Sequence, residues 1–176
     1  MAVFFVSREP VRAPQPLADF AAVARGLADA LPGKTLAGSL SVAFQDRFVI
    51  AACPNGLGSA PESSLVEVYE YDPIRYQALV IGLVEPPAAT PVHWIARRVN
   101  PAARVVAVVD GNSDIGRPLE VLAAPKGYLG NADTLLALGR SLKGRQVCAV
   151  EGLGVVAVGV SPQAVVDSLR PPAPTA

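Results

Sequence analysis

The chain has 176 residues, of which 51% are hydrophobic and 17% are charged, which predicts a single domain over residues 1–176 with a sizeable core. Fifteen Lys and Arg balance fifteen Asp and Glu, so the formal net charge is +0. This balance excludes nucleic acid and an anionic membrane as main partners, because both require a surplus of basic residues. A net charge near zero also weakens repulsion between copies, which favours a homo-oligomer.

The apolar stretches are too short for targeting or membrane insertion. Residues 1–6 are apolar but are followed by Ser7 and Arg8, whereas a secretory core needs about 7–15 apolar residues. No window reaches the roughly 20 apolar residues that cross a bilayer. Cys53 and Cys148 lie far apart and fit no metal-binding spacing, so we expect buried thiols, with a disulfide or a reactive thiol as alternatives. These features predict a cytoplasmic protein.

The first half of the chain predicts one helix and then consecutive strands. Apolar residues recur every three or four positions from Leu17 to Leu31, after Pro16, which is the pattern of an amphipathic helix. Alternating or β-branched segments predict strands over Gly38–Phe44 and residues 47–52, 65–71 and 76–84. The Pro- and Gly-rich residues 53–64 predict a loop, and the dipeptides Gln45-Asp46 and Asp72-Pro73 predict turns.

The second half predicts helices and strands in alternation. Pro91 is expected at the first position of a short helix that ends near Val99, and Asn131 and Ser161 are expected to cap two further helices. Strands are predicted over residues 104–109, 146–150 and Gly154–Gly159, and the Pro-rich residues 171–176 predict a frayed tail. Because the strands are too consecutive for a repeated βαβ unit, the order predicts an α/β fold with a mixed sheet flanked by helices.

His93 is the only histidine of the chain and lies near the start of the predicted short helix. A single histidine cannot form a multi-histidine metal site, and no Ser/His/Asp arrangement can be placed in space from the sequence. The sequence therefore leaves two roles open for His93, a structural residue inside the protein or a group that transfers a proton.

Residues 152–157 have the letters of a dinucleotide-binding GxGxxA motif. That motif requires a helix to begin inside it, so that backbone N–H groups meet the pyrophosphate. The residues after Gly154 instead have a strand pattern, and the next helix is expected only at Pro162. Nucleotide binding is therefore the weakest of the functional alternatives.

Asp110, Asn112 and Asp114 place oxygen atoms on alternate residues after a predicted strand, as in the first half of an EF-hand loop. The sixth and twelfth loop positions are Ile115 and Val121 rather than Gly and Glu. The segment therefore predicts either a polar turn or an oxygen site of another kind, for a divalent metal or a polar ligand.

Arg97 and Arg98 are the only adjacent pair of basic residues and point to different sides of a helix. They predict a solvated face or a subunit contact. The more specific alternative is that one of them binds a phosphate group.

A series of short motifs follows in order over about residues 17–170. The motifs are Gly38-Ser39-Leu40-Ser41, Cys53-Pro54-Asn55-Gly56, Pro86-Pro87-Ala88-Ala89 before His93, and Leu153-Gly154-Val155-Val156-Ala157-Val158-Gly159. In this order they resemble the class II aldolase/adducin family. The resemblance implies a three-layer αβα domain with a largely antiparallel central sheet, a cyclic tetramer with its site between subunits, and a metal-dependent aldolase (lyase) or epimerase activity.

The resemblance also implies that catalytic positions have changed. The family holds a divalent metal with a His-x-His pair and a later histidine, and a Glu transfers a proton. The corresponding positions here are Asp110 and Asn112 (Val108 and Asp110 without an insertion), Leu153 and Ala89. Leucine offers no ligand atom and alanine cannot carry a proton. Of the phosphate-binding elements, Ser39, Ser41, Asn55 and the N–H of Gly56 still offer donors to a small anion.

The sequence thus predicts a class II aldolase-like domain that has lost metal-dependent lyase activity, needs no cofactor, and binds a small anionic ligand or assembles as an oligomer, with a tetramer favoured. The alternative is a divergent aldolase or epimerase acting on a small carbonyl or sugar-phosphate-like compound. The residues expected in that site are His93, Asp110 and Asp114 as catalytic groups, Ser39, Ser41, Asn55, Gly56 and Asn112 as ligand-binding groups, Asp110, Asn112 and Asp114 as oxygen ligands of a divalent metal, and Glu85 or Glu151 as further acids.

Overall fold

The computed structural model describes residues 1–110, 119–123 and 130–171. Within these residues the chain forms four α-helices, one short 3-10 helix (Glu62–Ser64) and nine strands. The α-helices are α1 (Pro14–Ala30), α2 (Thr90–Val99), α3 (Ala132–Leu142) and α4 (Pro162–Leu169). The strands are β1 (Ala2–Ser7), β2 (Gly38–Phe44), β3 (Arg47–Cys53), β4 (Val66–Asp72), β5 (Gln77–Gly82), β6 (Val105–Asp110), β7 (Val121–Leu122), β8 (Val147–Val150) and β9 (Gly154–Gly159).

All nine strands of the described ranges belong to one mixed sheet, in the order β1-β5-β4-β3-β2-β6-β9-β8-β7. The edge pairs β1–β5 and β7–β8 are parallel, and the six pairs between β5 and β8 are antiparallel. In β2 and β3 the register joins Phe44 to Arg47 and Gly38 to Cys53. Gly38 also lies opposite Val109 of β6. Asp110 and the loop after β3 therefore lie at one end of the strands, and Arg47 lies at the other.

Alternation along the strands creates two cores, one on each face of the sheet. Leu40 and Val42 of β2 join the core beneath α1 and α4, whereas Val106 and Val108 of β6 join the core beneath α2 and α3. Burying a side chain of this size contributes roughly 1.5–3 kcal/mol, so each core fixes a pair of helices. The three layers confirm the predicted α/β fold with a mixed, largely antiparallel sheet flanked by helices.

The predicted side-chain caps of α3 and α4 are confirmed, whereas α1 begins at Pro14, before Pro16, and Pro91 is the second rather than the first residue of α2. The side chain of Asn131 accepts hydrogen bonds from the backbone N–H groups of Asp133 and Thr134 at the start of α3, and Ser161 accepts one from Ala164 at the start of α4. Side-chain oxygens satisfy N–H groups that a helix leaves without partners. The hairpin between β2 and β3 turns at Gln45-Asp46, where Gln45 has φ of 58°.

The structure differs from the sequence expectations chiefly at the two edges of the sheet. Strands β1 and β7 were not predicted as elements, because each joins the sheet by parallel pairing with a strand far along the chain, β5 or β8. Strand β5 is also shorter than the predicted 76–84, since Leu83 and Val84 leave the sheet. Of the Pro-rich tail, residues 172–176 lie outside the described residues. None of the described helices is both long and apolar enough to span a bilayer.

Candidate functional site

Helix α2 brings His93 onto the face of β2 that carries Ser39 and Ser41. The two serines are two residues apart in a strand, so their side chains lie on one face of the sheet. His93 is 0% exposed. Its Nε2 lies 2.8 Å from Oγ of Ser39 and its Nδ1 lies 2.8 Å from Oγ of Ser41. The imidazole therefore bridges helix and sheet with both ring nitrogens engaged.

Arg97 extends this network by one helical turn. It follows His93 by four positions, which places both side chains on one face of α2. Its Nη2 donates to Oγ of Ser41 at 3.0 Å, and its Nη1 donates to the backbone carbonyls of Ala103 and Arg104 at 3.1 and 3.2 Å. Arg97 thus ties α2 to the segment that leads into β6.

The hydrogen-bond pattern assigns the tautomer of His93. Because Arg97 is only a donor, Oγ of Ser41 accepts from it. Ser41 is 0% exposed and has no other acceptor among the described residues, so its hydroxyl donates to Nδ1. The ring proton is then on Nε2, which donates to Ser39. In this arrangement His93 cannot take a proton from Ser39, so the pair is not a nucleophile and its base.

Burial and charge keep His93 neutral. Desolvation, with a smaller contribution from the Arg97 guanidinium, lowers the pKa of His93 to about 3, because a buried cation loses its hydration. Burial also lowers the pKa of Arg97 to about 9, which leaves that side chain cationic at neutral pH. A neutral imidazole enclosed by two hydroxyl groups is built to hold α2 against the sheet.

Asn55 and Gly56 lie apart from Ser39, Ser41 and His93. They line a small cavity of about 150 Å³ with residues of α1, which packs on the other face of the sheet. The N–H of Gly56, expected to bind an anion, donates to the carbonyl of Cys53 at 3.3 Å. The four donors expected to hold one anion are therefore divided between the two faces of the sheet within this chain.

Asp110 is exposed at the end of β6, where its backbone N–H donates to the carbonyl of Ala37 at 2.9 Å. Asn112 and Asp114 lie outside the described residues. Leu153 and Ala89, at the positions of the family's later histidine and Glu, pack as partly buried apolar residues against the core beneath α2 and α3. Glu85 and Glu151 are both exposed.

The described residues do not fit the divalent metal that the resemblance implies. Across residues 1–110, 119–123 and 130–171 there is no group of three or more His, Cys, Asp and Glu side chains that could hold a metal ion. Residues 152–157 do not form a dinucleotide-binding loop: as expected from their pattern, strand β9 begins at Gly154 and the next described helix begins only at Pro162.

Sequence reasoning missed a groove at the opposite end of the strands from Asp110. It has a volume of about 620 Å³ and lies between the neighbouring strands β3 and β4 and helices α2 and α3. The expected solvated face holds for Arg98, which is exposed, but Arg97 is half-buried. The four-residue spacing between His93 and Arg97 was the sequence signal that Arg97, unlike Arg98, lies on the same face of α2 as His93. No local pattern marked the aromatic residues of the groove.

The layer order, the sheet and the helix positions define a class II aldolase-like α/β fold. No family model matches the chain, and no curated protein matches it in sequence. Solved structures do match it. One is YgbL from Escherichia coli, described as a putative aldolase/epimerase/decarboxylase, with 14% identity, a TM-score of 0.59, and coverage of 86% of this chain and 81% of that chain.

Two further structures of sugar-phosphate enzymes have the same fold. The l-fuculose-1-phosphate aldolase from Thermus thermophilus shares 20% identity at a TM-score of 0.55, covering 88% of this chain and 86% of that chain. The sugar-phosphate aldolase from Thermotoga maritima shares 14% identity at a TM-score of 0.58, covering 87% and 88%. At these identities the likeness shows the fold.

Proposed function

We propose that this chain is a class II aldolase-like domain without metal-dependent lyase activity, which serves as a module for small-ligand binding or oligomeric assembly. The observation that carries the proposal is the position of His93. The only histidine of the chain is fully buried, and both of its ring nitrogens contact serine hydroxyls. It is therefore unavailable as a metal ligand or as a surface proton carrier.

The residues at the other catalytic positions support the same conclusion. Leu153 and Ala89 provide neither a metal ligand nor a proton carrier, and Asp110 is exposed at the end of β6. A lyase that stabilises an enediolate on a metal needs about three protein ligands around an open coordination position. The fold persists because its two cores depend on apolar residues that the chemistry does not use.

Assembly as a homo-oligomer, with a tetramer favoured, and a cytoplasmic location are parts of this proposal. The formal net charge of +0 allows copies to approach without mutual repulsion. Cys53 and Cys148 are both free and buried, which suits a reducing compartment.

The test is elemental analysis of protein purified without chelator or added metal, with the oligomer mass measured on the same sample. We expect an oligomer without stoichiometric divalent metal, and no cleavage of L-fuculose 1-phosphate when zinc or manganese is added. The matched variant is Asp110→Ala, which should leave metal content and oligomer mass unchanged. About one metal ion per chain that is lost in Asp110→Ala would overturn the proposal and indicate a rebuilt oxygen site.

A further inference from the structure

The groove found at the Arg47 end of the strands has the size and walls of a small-molecule site. Its volume of about 620 Å³ lies within the range of roughly 300–1,000 Å³ typical of ligand pockets. We name it the Trp94 groove, after the tryptophan in its wall. Residues that give it its chemical character are Phe48, Tyr69, Tyr71, Trp94, Arg97 and Arg98.

Aromatic rings and guanidinium groups alternate along this wall. The ring centroids of Tyr71 and Trp94 are 5.2 Å apart with an interplanar angle of 55°. The guanidinium of Arg98 lies 5.6 Å from the centre of the Trp94 ring, and that of Arg97 lies 5.4 Å from the centre of the Phe48 ring. Aromatic faces favour a planar ligand, and arginine pairs well with planar carboxylate or phosphate groups.

Of the three arginines in the groove wall, only Arg47 has a carboxylate partner among the described residues. Arg47 is paired with Glu67 at 2.7 Å and lies 3.6 Å from Asp46. Arg97 and Arg98 form no ion pair within the described part of the chain, and Arg97 donates to uncharged oxygen atoms. Glu70 is the remaining acid of the wall and is exposed. Counted with Glu67, Asp46 and Glu70, the three arginines leave no net charge, so an anion is favoured locally, beside Arg97 and Arg98, which have no carboxylate partner among the described residues.

Two buried donors in the same wall have no hydrogen-bond partner among the described residues. They are Nε of Arg97 and the hydroxyl of Tyr71, whose residue is only 5% exposed. Leaving such groups unpaired costs free energy, because each has given up its hydrogen bond to water. Both atoms are shielded from solvent and lie behind the wall, so Arg97 contributes its positive charge, rather than a free donor, to a ligand in the groove.

We propose that the Trp94 groove binds a small organic anion with a planar aromatic ring, the ring lying against Trp94 and the carboxylate or phosphate beside Arg98, with the charge of Arg97 behind the wall. The proposal rests on the ligand-binding part of the proposed function and gives it a place and a ligand class. The groove lies at the opposite end of the strands from Asp110, so this site is separate from the one to which the family resemblance pointed.

Trp94 makes the proposal directly measurable, because it is the only tryptophan of the chain. Trp94 is excited selectively, and its fluorescence is recorded as benzoate, phenyl phosphate or inorganic phosphate is added. Benzamide, the neutral isostere of benzoate, is titrated in the same way. We expect a saturable change with benzoate or phenyl phosphate, a weaker one with inorganic phosphate, and none with benzamide. Whichever of benzoate and phenyl phosphate binds with the lower Kd shows whether the groove prefers a carboxylate or a phosphate.

The variant Arg98→Gln should weaken binding of that anion by about threefold to tenfold, because one of two cations is removed. The matched control is Arg25→Gln, which removes the same charge from an exposed position on α1, on the other face of the sheet, and should bind like the unmodified protein. Equal binding of benzamide and benzoate, equal affinity in Arg98→Gln, or no saturable change up to about 10 mM would overturn the proposal. Metal content measured on the same samples tests the proposed function separately, since a metal at Asp110 leaves the Trp94 titration unaffected.

Discussion

Nε2 of His93 and Oγ of Ser39 lie 2.8 Å apart although the two residues are 54 positions apart in the chain. The contact joins helix α2 to the central strand β2 in the interior of the protein. Ser41 completes the bridge at the other ring nitrogen. This arrangement makes the one histidine a structural element with a defined tautomer, and it predicts how stability responds to pH.

The free energy of unfolding should fall as the pH falls below 6.5, because of His93. Its pKa is lowered from 6.5 to about 3 in the folded protein, so between these values the unfolded chain binds the extra proton. Between pH 6.5 and about pH 3 the free energy of unfolding therefore decreases by up to about 1.4 kcal/mol for each pH unit of acidification. Urea unfolding at about pH 7 and pH 5.5 should show a loss of about 1 kcal/mol.

The matched variant for that experiment is His93→Gln, which removes the titrating group. It should be less stable than the unmodified protein at pH 7, and the loss between pH 7 and 5.5 should disappear. The same pH dependence in both proteins would show that His93 is not held neutral.

Asp19→Asn should lower the free energy of unfolding by about 1–2 kcal/mol. One carboxylate oxygen of Asp19 accepts hydrogen bonds from Nε and Nη2 of Arg104 at 2.9 and 2.8 Å, which ties α1 to the segment before β6. Asp19 is buried, so loss of its charge leaves Arg104 without its partner. A double-mutant cycle with Arg104→Gln, read by urea unfolding, measures the coupling.

The control is Asp167→Asn, whose partner Arg170 is 3.9 Å away and whose side chains are both more than half exposed. Exposed pairs of this kind contribute about 0–1 kcal/mol. A loss in Asp167→Asn as large as that in Asp19→Asn would contradict the importance of burial for the first pair.

Gly58→Ala should destabilise the protein much more than Gly144→Ala. Both glycines have positive φ, 79° and 73°, but a Cβ on Gly58 would lie 2.3 Å from the carbonyl oxygen of Phe20, whereas Gly144 has open space. Gly144→Ala should cost about 1–2 kcal/mol from backbone strain alone. Gly58→Ala adds a clash with the backbone of α1, so its thermal midpoint should be several degrees lower. Similar losses in the two variants would contradict the close approach of the loop to α1.

Neither cysteine should react with a thiol reagent while the protein is folded. Burial raises the pKa of the Cys148 thiol to about 11 and also raises the pKa of Cys53, so the reactive thiolate is scarce at neutral pH. Titration with Ellman's reagent should detect both thiols only after unfolding in guanidinium chloride. Rapid reaction of one thiol in the folded protein would show that its surroundings open.

Local signals predicted most of the elements in the middle of the chain. The side-chain caps Asn131 and Ser161 act within one helical turn, so they can be recognised without knowing the fold. The edge strands β1 and β7 could not be recognised in this way. Each depends on parallel pairing with a distant strand, and a short apolar segment is compatible with several structures until its partner is known.

The candidate site was predictable only in part for the same reason. Ser39, Ser41 and His93 were identified as notable residues, but their sequence positions do not show that they contact one another. Arg97 and Arg98 are neighbours in sequence, yet one faces the interior and the other faces solvent. The Trp94 groove is formed by two neighbouring strands and two helices that no local pattern brings together.

Local sequence information specifies the periodicity of the elements, the ends of several helices, the balanced charge and the order of segments that resembles the class II aldolase/adducin family. These properties depend on neighbouring residues, whose interactions are the same in any fold. The packed layers were needed to establish that His93 is neutral and bridges Ser39 and Ser41, and that Arg97 lines a groove without a carboxylate partner among the described residues. Burial and hydrogen-bond partners arise from tertiary packing, because desolvation depends on what lies beside a residue in space.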